Sequence, residues 1–100
     1  MTRLWLAPEL AEDFARIADH LAVHDVATPD IEARLLEIVE ALQVLTRHPL
    51  IGRPASGDWR EFVIGRGTRG YLARYWYDAG EDIVSVAAVR AQREAGFRDV

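Results

Sequence analysis

The first half of the chain shows two helical patterns of apolar residues behind a short apolar run. Residues 4–6 form that run and Pro8 ends it, which predicts a strand. Thr28 and Pro29 predict the cap and the first residue of the second helix, and Pro49 ends that helix near His48. The apolar stripes of the two amphipathic helices are Leu10, Phe14, Ile17 and Leu21, and then Ile31, Leu35, Ile38, Leu42 and Leu45.

The second half of the chain alternates between apolar and polar positions. Residues 60–64, 70–77 and 82–89 predict three strands, and the short turns between them predict an antiparallel meander. The order β-α-α-β-β-β predicts an α+β fold, in which an antiparallel sheet packs against an N-terminal helical hairpin. We expect one domain over residues 1–100, with a polar C-terminal tail from about residue 91. The central strand places Leu72, Arg74 and Trp76 on one face, and Tyr71, Ala73, Tyr75 and Tyr77 on the other.

Composition narrows the class of protein. A chain of 100 residues buries only about 60 to 65% of its unfolded surface, so we expect a partner that covers more of it. The absence of cysteine excludes disulfides, thiolate nucleophiles and cysteine-based zinc sites. The chain has no apolar run long enough to span a bilayer and no apolar leader segment, which predicts a cytoplasmic protein without membrane contact. We expect neither a metal nor a cofactor.

Charge is distributed unevenly along the chain. Residues 1–46 hold three arginines against nine acidic residues, whereas residues 47–77 hold six arginines against Asp58 and Glu61. With Tyr71, Tyr75 and Trp76 interleaved among arginines, the second half predicts a surface that binds phosphate or an acidic peptide. The alternative is a set of solvated arginines paired with nearby carboxylates. The candidate arginines are Arg53, Arg60, Arg66, Arg69, Arg74, Arg90 and Arg93.

Two other motifs have simpler structural explanations. Residues 65–70 match the glycine pattern of dinucleotide-binding proteins, but that site needs a helix to follow, and here an alternating strand pattern follows. We therefore interpret these residues as a hairpin turn. His20 and His24 have a spacing that can chelate zinc on a helix, but the glutamate of the protease motif is absent. A solvated helix face accounts for this pair.

Five segments occur in an order and at a spacing that are typical of one family: Ala7-Pro8 and residues 48–54 (HPLIGRP), 60–64 (REFVI), 70–75 (GYLARY) and 88–97 (AVRAQREAGF). Over nearly its whole length, the sequence therefore resembles the ParE/RelE superfamily of bacterial type II toxins, often labelled plasmid stabilisation proteins. The resemblance implies a toxin that is neutralised by an antitoxin encoded by an adjacent gene.

The superfamily includes two activities. RelE-like members cut mRNA on the ribosome, whereas ParE-like members poison DNA gyrase. RNA cleavage needs a base, an acid and cations around the scissile phosphate. Here lysine is absent, Leu72 stands where the RelE branch typically has arginine, Ala91 stands where histidine is frequent, and the tail has Phe97 without a hydroxyl. All three histidines precede the meander.

We therefore predict a ParE-like, non-nucleolytic toxin with gyrase as the implied target. The alternatives are a RelE-like mRNA endoribonuclease, with the ribosome and mRNA as partners, and a toxin-fold binding module that has lost toxicity. In the ribonuclease alternative, Arg60, Arg69 and Arg90 would contact phosphate, and Tyr71 or Tyr75 would transfer protons. The predicted target-binding residues are Arg60, Arg66, Arg69, Arg74, Arg90 and Arg93.

Overall fold

The computed structural model describes residues 1–66 and 70–93, which form a five-stranded sheet and three helices. The strands predicted over residues 60–64, 70–77 and 82–89 each agree with an observed strand to within two residues at either end. The elements in chain order are β1 (Arg3–Leu6), α1 (Leu10–Val23), α2 (Thr28–Leu42), α3 (Val44–Arg47), β2 (Arg53–Pro54), β3 (Arg60–Ile64), β4 (Tyr71–Asp78) and β5 (Ile83–Ala91).

The sheet has the strand order β1-β5-β4-β3-β2. The meander of β3, β4 and β5 is antiparallel, as predicted, and the short β2 extends it beyond β3. β1 differs from the expected antiparallel arrangement because it pairs with β5 in parallel. A parallel pair needs a long connection, and the helical hairpin supplies the length that carries the chain back across the sheet. The sheet is therefore mixed.

The two long helices bury the predicted stripes against the sheet. Leu10 and Ile17 of α1 are buried, and so are Ile38 and Leu42 of α2. Acidic residues in the first turn of α1 suit the positive end of the helix dipole. This shared core joins the hairpin to β4 and β5 and confirms the predicted α+β architecture.

The second helix begins and ends differently in detail from the prediction. Ala27, and not Thr28, is the N-cap residue, because Thr28 already has helical geometry and Pro29 follows it in the first turn. The helix stops at Leu42, and the short α3 continues the chain to Arg47. His48 leaves helical geometry because the following proline disfavours it.

A small polar network fixes the start of β1 to the β4–β5 turn. The Thr2 hydroxyl and the Tyr77 hydroxyl each donate to Asp82 Oδ1, at 2.6 Å in both cases. These two hydrogen bonds, the one from Thr2 first, hold the pKa of Asp82 below its ordinary value. The same bond to Asp82 raises the pKa of Tyr77. Asp82 itself has a φ of 55°, so the network holds a residue in the left-handed region.

In the part of the chain that the structure describes, no helix is long and apolar enough to cross a membrane. β5 extends to Ala91, so the regular sheet includes the residue at which we expected the tail to begin. Residues 94–100 of the expected tail lie outside the described residues.

Candidate target-binding surface

The strand register divides the sheet into a face that packs on the helices and an outer face. Tyr71, Ala73 and Tyr75 of β4 belong to the buried core. Because side chains alternate along a strand, Arg74 and Trp76 point to the outer face. The predicted assignment of these β4 side chains to two opposite faces of the sheet is therefore confirmed.

Three of the candidate arginines lie on the outer face. Arg53 is opposite Glu61, and Glu61 is in turn opposite Arg74. Arg53 Nη2 lies 3.1 Å from Glu61 Oε1, so one outer-face cation is paired within the sheet. Arg90 is opposite Leu72, one step further along the same face. These three side chains come from three different strands, β2, β4 and β5.

All three tryptophans of the protein form a row across this outer face. Trp76 of β4 and Trp5 of β1 both pair in register with Ser85 of β5, from opposite sides. Trp59 extends the row on the other flank, with its ring 5.1 Å from that of Trp76 in an edge-on arrangement. The guanidinium of Arg74 stacks on Trp59, 4.4 Å from the ring centre. Such a contact contributes about 0.5 to 1 kcal/mol at an exposed site.

Arg60 faces the opposite side of the sheet and helps to hold a loop. It donates to the carbonyl oxygens of Gly52, at 2.7 Å, and Leu50, at 3.2 Å. The Tyr75 hydroxyl accepts a bond from the Gly52 N–H at 2.8 Å and donates to the Pro49 carbonyl at 2.9 Å. Burial raises the pKa of Tyr75, although the bond from the Gly52 N–H and the Arg60 charge oppose the shift. Arg60 and Tyr75 together fasten residues 49–52 to the sheet.

The four residues of the ribonuclease alternative that the structure describes do not come together in one site. Arg60, Tyr71 and Tyr75 lie on the helix-facing side, where both tyrosine side chains are buried. Arg90 lies on the outer face, where it donates to the neighbouring backbone carbonyl of Ala91 at 3.1 Å. Arg69 lies outside the described residues.

The remaining target-binding candidates are also dispersed. Arg66 is exposed just beyond β3. Arg93 follows β5 and places Nη2 3.2 Å from Nε2 of His20 on α1. The structure therefore brings Arg74 and Arg90 to one face and directs Arg60 to the other. The reason is strand alternation combined with cross-strand register, which the spacing of arginines along the chain does not reveal.

The two other motifs can now be placed. Gly65 has a φ of 80°, which suits a turn, and Gly70 leads directly into β4 rather than into a helix. The requirement for a dinucleotide site is therefore not met. The rings of His20 and His24 lie 4.6 Å apart on α1. Among residues 1–66 and 70–93, no group of three His, Cys, Asp or Glu side chains is placed to hold a metal ion.

The profile of the ParE toxin of the type II toxin–antitoxin system parDE matches residues 5–96. The chain belongs to the ParE toxin family. It is therefore a type II toxin of the ParE branch, as the sequence resemblance implied. A search of curated proteins gave no match.

The fold of this ParE-family toxin is also found in a solved structure. That structure is described as the chromosomal ParDE toxin–antitoxin system from P. aeruginosa, and the TM-score is 0.75 at 19% sequence identity. The likeness covers 91% of this chain and 96% of the other chain. At this identity, it establishes a shared fold.

Sequence reasoning missed the tryptophan row of the toxin. Trp76 was recognised on its strand face, but Trp5 lay in an apolar run and Trp59 in the approach to β3. The available signal was that tryptophan, which is rare, occurs once near each of three predicted strands. Only the register of β1 with β5 places Trp5 in the same row as the other two.

Proposed function

We propose that this ParE-family toxin arrests growth by binding DNA gyrase, without cutting RNA, and that a cognate antitoxin neutralises it. The absence of RNA cleavage is proposed because the two tyrosines that would transfer protons in that reaction are buried. Tyr75 is fully buried, and its hydroxyl is occupied by the backbone of residues 49–52. Tyr71 is also buried on the helix-facing side. A general acid or base must reach the proton that it transfers.

The chemistry of Tyr75 and Arg60 supports the same proposal. A raised pKa makes the Tyr75 phenol harder to ionise, which is the opposite of what a general base near neutral pH requires. The guanidinium of Arg60 is directed to two carbonyl oxygens, so it stabilises a loop rather than a scissile phosphate. Both residues act in the fold.

The outer face supports a binding role. It combines a row of tryptophans with arginines from neighbouring strands, and Trp and Arg are the residue types that dominate the energetics of protein interfaces. Trp5 is 52% exposed and Trp76 is 40% exposed, so the row presents apolar surface to solvent, as protein interaction sites do. A protein target, rather than a nucleotide, suits this surface.

Neutralisation by an antitoxin is proposed because the chain belongs to a family of toxins from type II toxin–antitoxin systems. A protein of 100 residues buries a smaller fraction of its surface on folding than a larger domain does, so a partner that covers more of that surface stabilises it. A partner present at a hundred times its dissociation constant adds about 2.7 kcal/mol to the free energy of unfolding. Co-expression with the product of the adjacent gene is expected to raise the yield and the melting temperature of the toxin. No change in either quantity would contradict neutralisation by that product.

The target is tested with the purified toxin in two parallel assays. The first measures supercoiling by DNA gyrase, and the second measures ribosome-dependent cleavage of mRNA. We expect the toxin to inhibit supercoiling and to leave the mRNA intact. Cleaved mRNA with normal supercoiling would establish the ribonuclease alternative. If the protein neither inhibits supercoiling nor cleaves mRNA, and its expression does not arrest growth, it is a binding module without toxicity.

Single substitutions separate shared binding from catalysis. Arg74→Ala and Arg90→Ala, at two arginines of the outer face, are each expected to weaken growth arrest in part, because a rim charge contributes modestly to an interface. Loss of a group that acts in a transition state typically costs about 2.7 to 4 kcal/mol. A single variant that folds and binds antitoxin normally but is completely inactive would therefore indicate a catalytic arginine.

A further inference from the structure

A hollow of about 850 Å³ lies beside the tryptophan row, at the end of β4. We call this cavity the tryptophan hollow. Its lining includes Asp58, Trp59, Arg74, Trp76 and Asp78, together with Leu50, Pro54, Arg60 and Tyr77. The hollow is large enough for the side chains of a peptide segment, since ligand pockets commonly measure about 300 to 1,000 Å³.

The aromatic walls of the tryptophan hollow can hold a cation. Trp59 and Trp76 meet edge-on, with 61° between their ring planes, so their contact does not cover both faces of both indoles. An indole face attracts a guanidinium or an ammonium group. The protein already contains such a contact, since the guanidinium of Arg74 lies 4.4 Å from the centre of Trp59. Trp76 is 40% exposed, which leaves part of its ring open to a second cation.

The carboxylates of the tryptophan hollow determine the charge of its ligand. Asp58 and Asp78 are both exposed. Within residues 1–66 and 70–93, Asp58 has no ion pair or hydrogen bond through its side chain. Asp78 uses Oδ1 to accept the Glu81 N–H at 3.1 Å, which keeps its carboxylate in place. Carboxylates attract an arginine or a lysine and repel a phosphate.

The two arginines beside the hollow are held by the protein itself. Arg60 is bound to the carbonyl oxygens of Leu50 and Gly52, and Arg74 is stacked on Trp59. Nη1 of Arg60 makes both of these hydrogen bonds, and the Arg74 guanidinium lies against the Trp59 indole, while both positive charges remain. Beside these arginines, the hollow presents indole surface and the carboxylate oxygens of Asp58 and Asp78.

The walls are also held in place before any ligand binds. The Ala55 N–H donates to the Trp59 carbonyl at 2.9 Å, and the Trp59 N–H donates to the Ser56 carbonyl at 3.2 Å. Gly57 has a φ of 62° at the tip of this turn, a conformation that glycine adopts without strain. Trp76 lies within β4. A site on fixed elements loses little conformational entropy when it binds.

We propose that the tryptophan hollow docks a basic side chain, an arginine or a lysine, on a protein partner. Indole surface and two carboxylates surround the charged head, and Leu50 and Pro54 contact apolar neighbours of that residue. The inference goes beyond the proposed function, because it specifies the chemistry of the partner and does not depend on gyrase as the target.

The test titrates the isotopically labelled toxin with the peptide acetyl-Ala-Leu-Arg-Leu-Ala-amide and follows the three indole N–H resonances. We expect the signals of Trp59 and Trp76 to shift, with little change at Trp5. Replacing the peptide arginine with citrulline, which has a similar shape without charge, should weaken binding at least threefold. A peptide with glutamate at that position should not bind.

Two toxin variants and one matched control locate the site. Trp76→Leu should weaken the arginine peptide at least fivefold, and Asp58→Asn should weaken it at least twofold. Trp5→Leu is the control, because Trp5 is an exposed tryptophan on the same face that does not line the hollow. It should bind the peptide like the wild type. Asp58 is exposed, so its variant tests the site even if Trp76→Leu does not fold.

Several results would overturn the inference. These are equal affinity for the citrulline or glutamate peptide, an equal loss in Trp5→Leu, and no shift of the indole signals at millimolar peptide. Supercoiling by gyrase is measured separately with the wild-type toxin. A toxin that binds the arginine peptide but does not inhibit gyrase would refute the proposed target and leave the docking site supported.

Discussion

Replacing Tyr75 with phenylalanine isolates the energetic role of one hydroxyl. Tyr75 is fully buried, and the substitution removes a single oxygen while the ring keeps its place in the core. That oxygen accepts a hydrogen bond from the Gly52 N–H and donates one to the Pro49 carbonyl. Gly52 is itself buried, so water does not easily replace the lost partner of its N–H.

The expected loss follows from these two bonds. A buried donor left without a partner costs about 1 to 3 kcal/mol, and the second bond contributes about 0.5 to 1.5 kcal/mol. We therefore expect the free energy of unfolding to fall by about 3 kcal/mol. In a domain of this size, 1 kcal/mol corresponds to about 4 to 8 °C, so the melting temperature should fall by about 12 to 24 °C.

The assay is urea and thermal unfolding followed by far-UV circular dichroism. Tyr71→Phe is the matched control, since Tyr71 is also a buried tyrosine on the same face of β4, and its hydroxyl has no hydrogen bond within the residues that the structure describes. We expect that variant to remain within about 0.5 kcal/mol of the wild type. The reasoning is refuted if Tyr75→Phe is as stable as the wild type or if both variants lose equally.

The wild type and Tyr75→Phe are also expected to differ in stability at alkaline pH. Burial raises the pKa of Tyr75, so the folded state favours the protonated phenol. The stabilisation is complete below the unfolded pKa of about 10 and is lost as the pH rises through the folded pKa. The wild type should therefore lose stability above pH 10 more steeply than Tyr75→Phe. Parallel stability curves would contradict this assignment.

Three further perturbations test the fold. Ile38→Ala, at a side chain only 1% exposed, should lower the free energy of unfolding by about 2 to 5 kcal/mol, whereas Leu36→Ala, at a side chain 57% exposed, should change it little. Equal urea midpoints for the two variants would mean that the buried face of α2 is assigned wrongly. Gly52→Ala should destabilise by about 1 to 3 kcal/mol in the same assay, because its new Cβ would lie 2.6 Å from the Tyr75 hydroxyl oxygen. Because the pKa of Asp82 is lowered in the folded state, its carboxylate stabilises the protein above about pH 4, and this stabilisation is lost as the pH falls through the folded pKa. Asp82→Asn should therefore make stability depend less on pH in the acid range. An unchanged dependence would show that Asp82 does not contribute to acid unfolding.

Local patterns predicted much of the fold. The helical spacing of Ile17, Ile38 and Leu42 identified side chains that the structure buries, and the alternation around Tyr75 identified the two faces of β4. Both signals arise within one element, because apolar residues recur with the period of the helix or strand that buries them.

The missed features depend on contacts between distant parts of the chain. The parallel pairing of β1 with β5 joins residues about 80 positions apart, and nothing within residues 3–6 specifies a partner strand or its direction. The opposite faces of Arg60 and Arg74 follow from cross-strand register, so a cluster of arginines in sequence did not become a cluster in space. The hydrogen bonds that fasten Tyr75 to the Pro49–Gly52 loop likewise appear only after β4 and the loop are placed together.

The tryptophan row also determines what the intrinsic emission of the protein measures. Every tryptophan is in this row, and the buried core contains none. Emission therefore reports the polarity around the outer face, and the folded toxin should emit at longer wavelength than a protein with a core tryptophan. A partner that covers the face would shift emission to shorter wavelength without any change in the core, whereas loosening of the helical hairpin alone would leave the spectrum nearly unchanged. Tryptophan fluorescence of this toxin therefore reports on its exposed sheet face, and unfolding of the core must be followed by another method, such as circular dichroism.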